Sequence, residues 1–173
     1  MENMQDERLK TVILKVETKK VPEKVLPANV VNKYAIDNIV HLLSIQPGKE
    51  MKPGISGRRV IGIIKDPELG ISKDNMIFNP EFRKSVYELA KAELSSQLLR
   101  EINSSPIGAA AIMDERTAAA RGDIANDEII GVFRKDKDGK ITFEGNPNFA
   151  IISRFGLCRL TQSIREKLYN LPD

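Results

Sequence analysis

The chain has no tryptophan, one cysteine and one histidine in 173 residues, and aromatics make up only 5% of it. Each scarcity closes off some chemistry. A lone thiol, Cys158, cannot form an intrachain disulfide and fits a reducing compartment. His41 and Cys158 together supply too few nitrogen and sulfur ligands for a tetrahedral zinc site. With so few rings, the core must be built from Ile, Leu, Val and Ala. No apolar run approaches the ~20 residues that a helix needs to cross a bilayer. The first ten residues, MENMQDERLK, are polar and lack an apolar stretch of the kind that opens a secretory signal. The expected location is the cytoplasm, with no membrane partner.

What is present is ordinary globular material, 41% hydrophobic and 29% charged, in a chain long enough to bury a core without metal or disulfide. The net charge of +3 is unevenly spread. Residues 1–65 hold twelve Lys and Arg against seven Asp and Glu, and the rest of the chain is slightly acidic. That excess is mild beside the dense basic patches of dedicated nucleic-acid modules.

Residues 1–8 read as a flexible tail and 9–173 as a single α+β domain. Leu9 to Glu17 reads as a strand, with Val12, Leu14 and Val16 on one face and Thr11 and Lys15 on the other. Pro27 opens a helix expected to reach about Leu43, because Val31, Ala35, Ile39 and Leu42 recur at helical spacing. Two prolines and three glycines make Ser44 to Gly57 a loop, and Arg58 to Lys65 reads as a strand. Another loop follows, around Pro67 to Asn75. A longer helix is expected from Pro80 to Ile102, capped by Asn79 and striped by Phe82, Val86, Ala90, Leu94, Leu98 and Ile102. The alanine-rich stretch from Ile107 to Arg121 reads as a further helix.

The last third is the most sharply patterned. Ile129 to Lys135 and Lys140 to Glu144 read as a hairpin around Asp136-Lys137-Asp138-Gly139, with Gly139 able to take positive φ. A strand is expected within Phe149 to Leu160, and then a helix capped by Thr161. These elements together predict an α+β fold with a largely antiparallel sheet and helices packed on one side.

Two groups of residues are candidates for ligand contact. Gly54-Ile55-Ser56-Gly57 followed by Arg58 and Arg59 has the amides and guanidiniums of an anion- or phosphate-binding loop. It leads into a strand, whereas the glycine-x-x-glycine loop of KH-type RNA binders leads into a helix. Arg134, Lys135, Lys137 and Lys140 crowd the hairpin and could touch nucleic-acid phosphates. Asp136 and Asp138 dilute that charge, and a solvated hairpin is the plainer reading.

Other patterns fall away. A calcium loop with Gly139 at its sixth position would have Arg134 first and Gly145 twelfth, where acidic ligands are required. Asp114, Glu115, Asp123, Asp127 and Glu128 are acidic, but nothing in their spacing makes them converge. His41, read near the end of the first helix, suits the negative end of that helix dipole. A nucleophilic pair of Cys158 and His41 is opposed by the apolar neighbours of the thiol. Arg121-Gly122-Asp123 and the sequon at Asn103 need an extracellular setting. No catalytic residue, metal or cofactor is therefore expected. The sequence points to a small cytoplasmic regulatory protein acting through protein–protein binding, with self-association open to it. The alternatives are a nucleic-acid binder using Arg58, Arg59 and the hairpin, and an enzyme holding a phosphorylated substrate with residues 54–59.

Overall fold

A computed structural model describes residues 9–46, 57–113, 126–153 and 156–171. The chain divides into two compact units, one of residues 9–85 and 165–171 and the other drawn from residues 86–164. All strand pairs are antiparallel among the described residues, so the fold is α+β with antiparallel sheets.

The first unit is built on a four-stranded sheet in chain order: β1 (Thr11–Glu17), β2 (Ile39–Ile45), β3 (Val60–Ile64) and β4 (Met76–Phe78). The period-two pattern of β1 turns Leu14 and Val16 onto the core and leaves Ile13 and Lys15 exposed, as the alternation predicts. That core holds Val40, Leu42, Val60 and Ile63. It is covered by the segment 21–34, which contributes Val25, Leu26 and Val31, the last of these from α1 (Ala28–Lys33). Each fully buried aliphatic side chain of this kind contributes about 1.5–3 kcal/mol relative to exposure.

The helix expected from Pro27 to Leu43 is corrected here. It stops at Lys33, and Ile39–Ile45 is a strand. The reason is a tight two-residue turn at Asp37 and Asn38, whose φ values of 52° and 64° no helix accommodates. Ile36 and Ile39 exchange both backbone hydrogen bonds across it, at 2.8 and 2.9 Å. Asp-Asn between β-branched residues is a hairpin signal that competes with the helical spacing, and it wins because β2 gains partners on both sides. His41 therefore lies within β2, opposite Lys15 and Ile64, and not at a helix end.

At Gly62 the sheet leaves no room for a side chain, since a Cβ there would sit 2.2 Å from the carbonyl oxygen of Ile77 on β4. Asn79 joins this sheet to the next helix. Its side-chain amide donates to the carbonyls of Gly57 and Val60, both at 2.9 Å, and its Oδ1 accepts from the Glu81 amide at 3.2 Å. This is the cap expected for α2 (Pro80–Lys91).

The stripe from Phe82 to Ile102 is not one helix. The chain breaks after Lys91 and restarts as α3 (Ser96–Ser104), capped by the Ser95 hydroxyl, which accepts from the Leu98 amide at 3.2 Å. Steps of four residues advance by about 40° beyond a full turn, so a stripe sustained over five of them would wind away from any flat core. The break resets the phase.

The second unit centres on a three-stranded sheet of β5 (Ala109–Met113), β6 (Ile129–Lys135) and β7 (Ile141–Gly145). β5 replaces the alanine-rich helix expected from Ile107. Gly108 at φ +65° ends any helix there, and pairing with β6 overrides the intrinsic preference of alanine. Residues 114–121 of that stretch lie outside the described residues. Ala110 and Ile112 are buried with Phe133, whose ring stands 5.0 Å from that of Phe143 across the β6–β7 pair. The strand expected within Phe149 to Leu160 is a short hairpin of β8 (Ile152–Ser153) and β9 (Gly156–Leu157). Thr161 caps α4 (Gln162–Tyr169) through a bond from the Ile164 amide at 3.3 Å. The boundary between the units falls within α2 and within α4.

Candidate functional site

Arg59, half of the basic pair in the anion-loop reading, is turned inward. It is only 2% exposed, and its guanidinium donates to the carbonyl of Leu171. Its own carbonyl accepts from the Ile45 amide at 2.9 Å and from the Ser44 hydroxyl at 3.2 Å. A buried guanidinium needs such partners, because an uncompensated charge in the interior is costly. The residue therefore ties β3 to the segment after α4 and presents no charge to solvent. Arg58 is exposed and Gly57 is half-buried in the turn before β3, while Gly54 lies outside the described residues.

The hairpin forms as its sequence predicts. Asp136 Oδ1 accepts from the amides of Asp138 at 2.9 Å and Lys140 at 2.8 Å, and Gly139 takes φ +83°. Asp136 is thus a turn-forming carboxylate, which agrees with the rejection of a calcium loop. All four cations are exposed, and the two on β6 face opposite ways. Arg134 stands with Ala109 and Thr142 on one face of the sheet, and Lys135 stands with Ile141 on the other. Lys135 also donates to Asn103 Oδ1 at 3.0 Å.

Cys158 is fully buried, with its amide bonded to the Ile151 carbonyl at 2.8 Å. Of the acidic cluster, Glu128 is buried and Asp127 half-buried, while Asp114, Glu115 and Asp123 lie outside the described residues. No group of three or more His, Cys, Asp or Glu that could hold a metal occurs among the described residues.

The feature that sequence reasoning missed lies at one end of the four-stranded sheet. β1 ends there, β2 begins there, β3 ends and β4 begins, so two connections, 18–38 and 65–75, share that end. Each is tightly built. Thr18 donates to the carbonyl of Asn38 at 2.9 Å, which fixes the end of β1 to the Asp37-Asn38 turn. The loop from Asp66 to Asn75 is organised by the buried Asn75 side chain. Its amide nitrogen donates to the carbonyls of Asp66 at 2.8 Å and Gly70 at 2.6 Å, and its Oδ1 accepts from the Asp66 amide at 3.0 Å. Asp66 also caps a turn of 3₁₀ helix at Pro67–Leu69 by accepting from Glu68 N at 3.0 Å.

These connections hold three large aliphatic side chains out in water. Leu69 is 71% exposed, Ile36 54% and Ile71 42%. The charges around them are mixed, with Lys19, Lys20 and Lys73 against Asp37, Asp66, Glu68 and Asp74. Single exposed aliphatics are common, but these three all stand on hydrogen-bonded turns at the same end of one sheet. Such exposure is set by tertiary placement, and the only sequence trace of it is aliphatic residues inside turn-forming segments such as Ile36-Asp37-Asn38 and Leu69-Gly70-Ile71.

No helix among the described residues is long and apolar enough to cross a membrane. No family model matches the chain, and neither does a curated protein or a solved structure.

Proposed function

We propose that the chain is a small regulatory protein of the cytoplasm that acts by binding another protein and catalyses no reaction. The observation that carries this reading is the presentation of Ile36, Leu69 and Ile71 on hydrogen-bonded turns at one end of the four-stranded sheet. Aliphatic anchors held in place before binding lose little conformational entropy when a partner covers them. The near balance of charge around them suits a protein surface better than a polyanion. Against the nucleic-acid reading stand the burial of Arg59 and the division of Arg134 and Lys135 between two sheet faces. The phosphate-loop enzyme loses the same guanidinium.

The test is recovery of the tagged protein from native extract with and without nuclease, beside the double variant Leu69→Asp, Ile71→Asp. Because both residues are exposed, the variant should keep its melting temperature and lose a nuclease-resistant protein partner. Partners that all vanish with nuclease, or that all survive in the double variant, would overturn the reading.

A further inference from the structure

The sheet of the first unit has two edges, and they are unequal. β4 is three residues long, whereas β1 runs for seven with neither proline nor glycine. The ladder fixes which backbone groups of β1 are used. Lys10 accepts from Gln46 and Thr18 donates to Asn38, each at 2.9 Å, with an unbroken register between them. In an antiparallel pair the bonded positions alternate, so the even-numbered residues of β1 bond to β2. The N–H and C=O groups of Thr11, Ile13, Lys15 and Glu17 therefore point away from the sheet, and β1 pairs with no other strand among the described residues.

A long edge of this kind is a template for another strand unless something blunts it. Here the side chains along it have a definite character. Ile13 is 50% exposed with Lys15 exposed two residues on along the same face, while Lys10 just before the strand and Lys19 and Lys20 just after it are exposed as well. The one carboxylate, Glu17, is already shared by Lys19 and Lys20 at 3.6 Å each. The edge is thus basic with one aliphatic site. A second copy of β1 laid over its full length would place Ile13 beside Lys15 of the other copy and bring the two Lys15 side chains near each other. That opposes self-pairing.

We infer that β1 accepts an extended acidic segment of a partner protein as a fifth strand, with carboxylates facing Lys15 and its basic neighbours and an aliphatic residue covering Ile13. Main-chain bonds to the outward groups supply affinity, and the charges select the partner. The inference rests on the reading of the chain as a protein-binding protein and names a second surface for it.

The test uses the full chain and a labelled peptide with glutamate and valine alternating along one strand face, of the pattern Glu-Thr-Val-Thr-Glu, and the same peptide with lysine in place of glutamate as control. Binding should protect the amides of Ile13, Lys15 and Glu17 from hydrogen exchange and leave those of Val12, Leu14 and Val16, already bonded, unchanged. Lys15→Glu should weaken the acidic peptide by about tenfold. Ile13→Pro should abolish binding while the fold survives, because an outward-facing N–H on an edge strand carries no ladder bond. If that variant proves unstable, Lys15→Glu and the odd–even protection pattern decide alone. The inference is overturned if the peptide binds without protecting the odd-numbered amides, or if those amides are already protected in the isolated chain. A concentration-dependent dimer that protects the same amides would make a second copy the occupant and overturn it equally. None of these outcomes touches Leu69 or Ile71, so this inference can fail while the proposed function stands. Loss of partners in the double variant, with no peptide binding here, would show that case.

Discussion

Replacing Gly62 by alanine tests the sheet geometry on which both proposed surfaces depend. The added methyl would lie 2.2 Å from the carbonyl oxygen of Ile77, and 3.0 Å from both Ile77 C and Phe78 Cα. An ordinary carbon–oxygen contact is ~3.4 Å, so the overlap exceeds about 1 Å. Every obstructing atom belongs to the backbone of β4, and none can rotate aside. Relief requires β4 to back away from β3. That forfeits two or three ladder bonds at about 1 kcal/mol each and partly exposes Met76, now 4% accessible, for about another 1–2 kcal/mol. The total is about 3–5 kcal/mol. In a chain of this size 1 kcal/mol moves the melting temperature by about 2–4 °C, so a fall of roughly 10 °C is expected in a circular-dichroism melt. Hydrogen exchange should show protection lost first at Met76 to Phe78. Gly57→Ala is the internal control, since among the described residues such a methyl would meet only Val25 Cγ2, at 3.9 Å. It should change stability by no more than about 0.5 kcal/mol. A Gly62→Ala protein that melts with its parent would refute the close approach of β3 and β4.

Arg59→Ala should destabilise the chain by about 3 kcal/mol in urea unfolding, because it strands the Leu171 carbonyl and leaves a gap where a buried side chain was. A variant as stable as the parent would mean that the guanidinium is not held inside. Asp136→Ala removes the acceptor of two turn amides and should cost about 1–2 kcal/mol, with faster exchange at Asp138 and Lys140. Unchanged exchange there would contradict the turn geometry. Thr161→Ala should cost about 1 kcal/mol through loss of the α4 cap, read from the urea midpoint at constant m-value. The cap is itself braced, since Glu93 accepts from the hydroxyls of Thr161 at 3.3 Å and Ser163 at 2.9 Å.

The elements legible in the sequence are those specified by local chemistry. The strand at 11–17, the hairpin around Asp136 and Gly139, and the caps at Asn79 and Thr161 each follow from residues within a few positions. The misread elements are those decided by distant partners. Ile39 and Leu42 fit a helical face and a strand equally well, and only pairing with β1 and β3 makes the choice. Ala109 to Ala111 favour helix in isolation and become strand beside β6. Exposure follows the same division. The basic hairpin could be placed from turn chemistry alone. The burial of Arg59 and the exposure of Leu69 depend on what lies across space, which spacing does not encode.

Cys158 has zero accessibility, although it follows directly on the short β9 strand. A thiol in that position reacts with an alkylating reagent only during moments when its surroundings open. The chain therefore carries one natural clock for fluctuations of its second unit. The modification rate, compared with that of an unstructured cysteine peptide, gives the free energy of that opening without any introduced label.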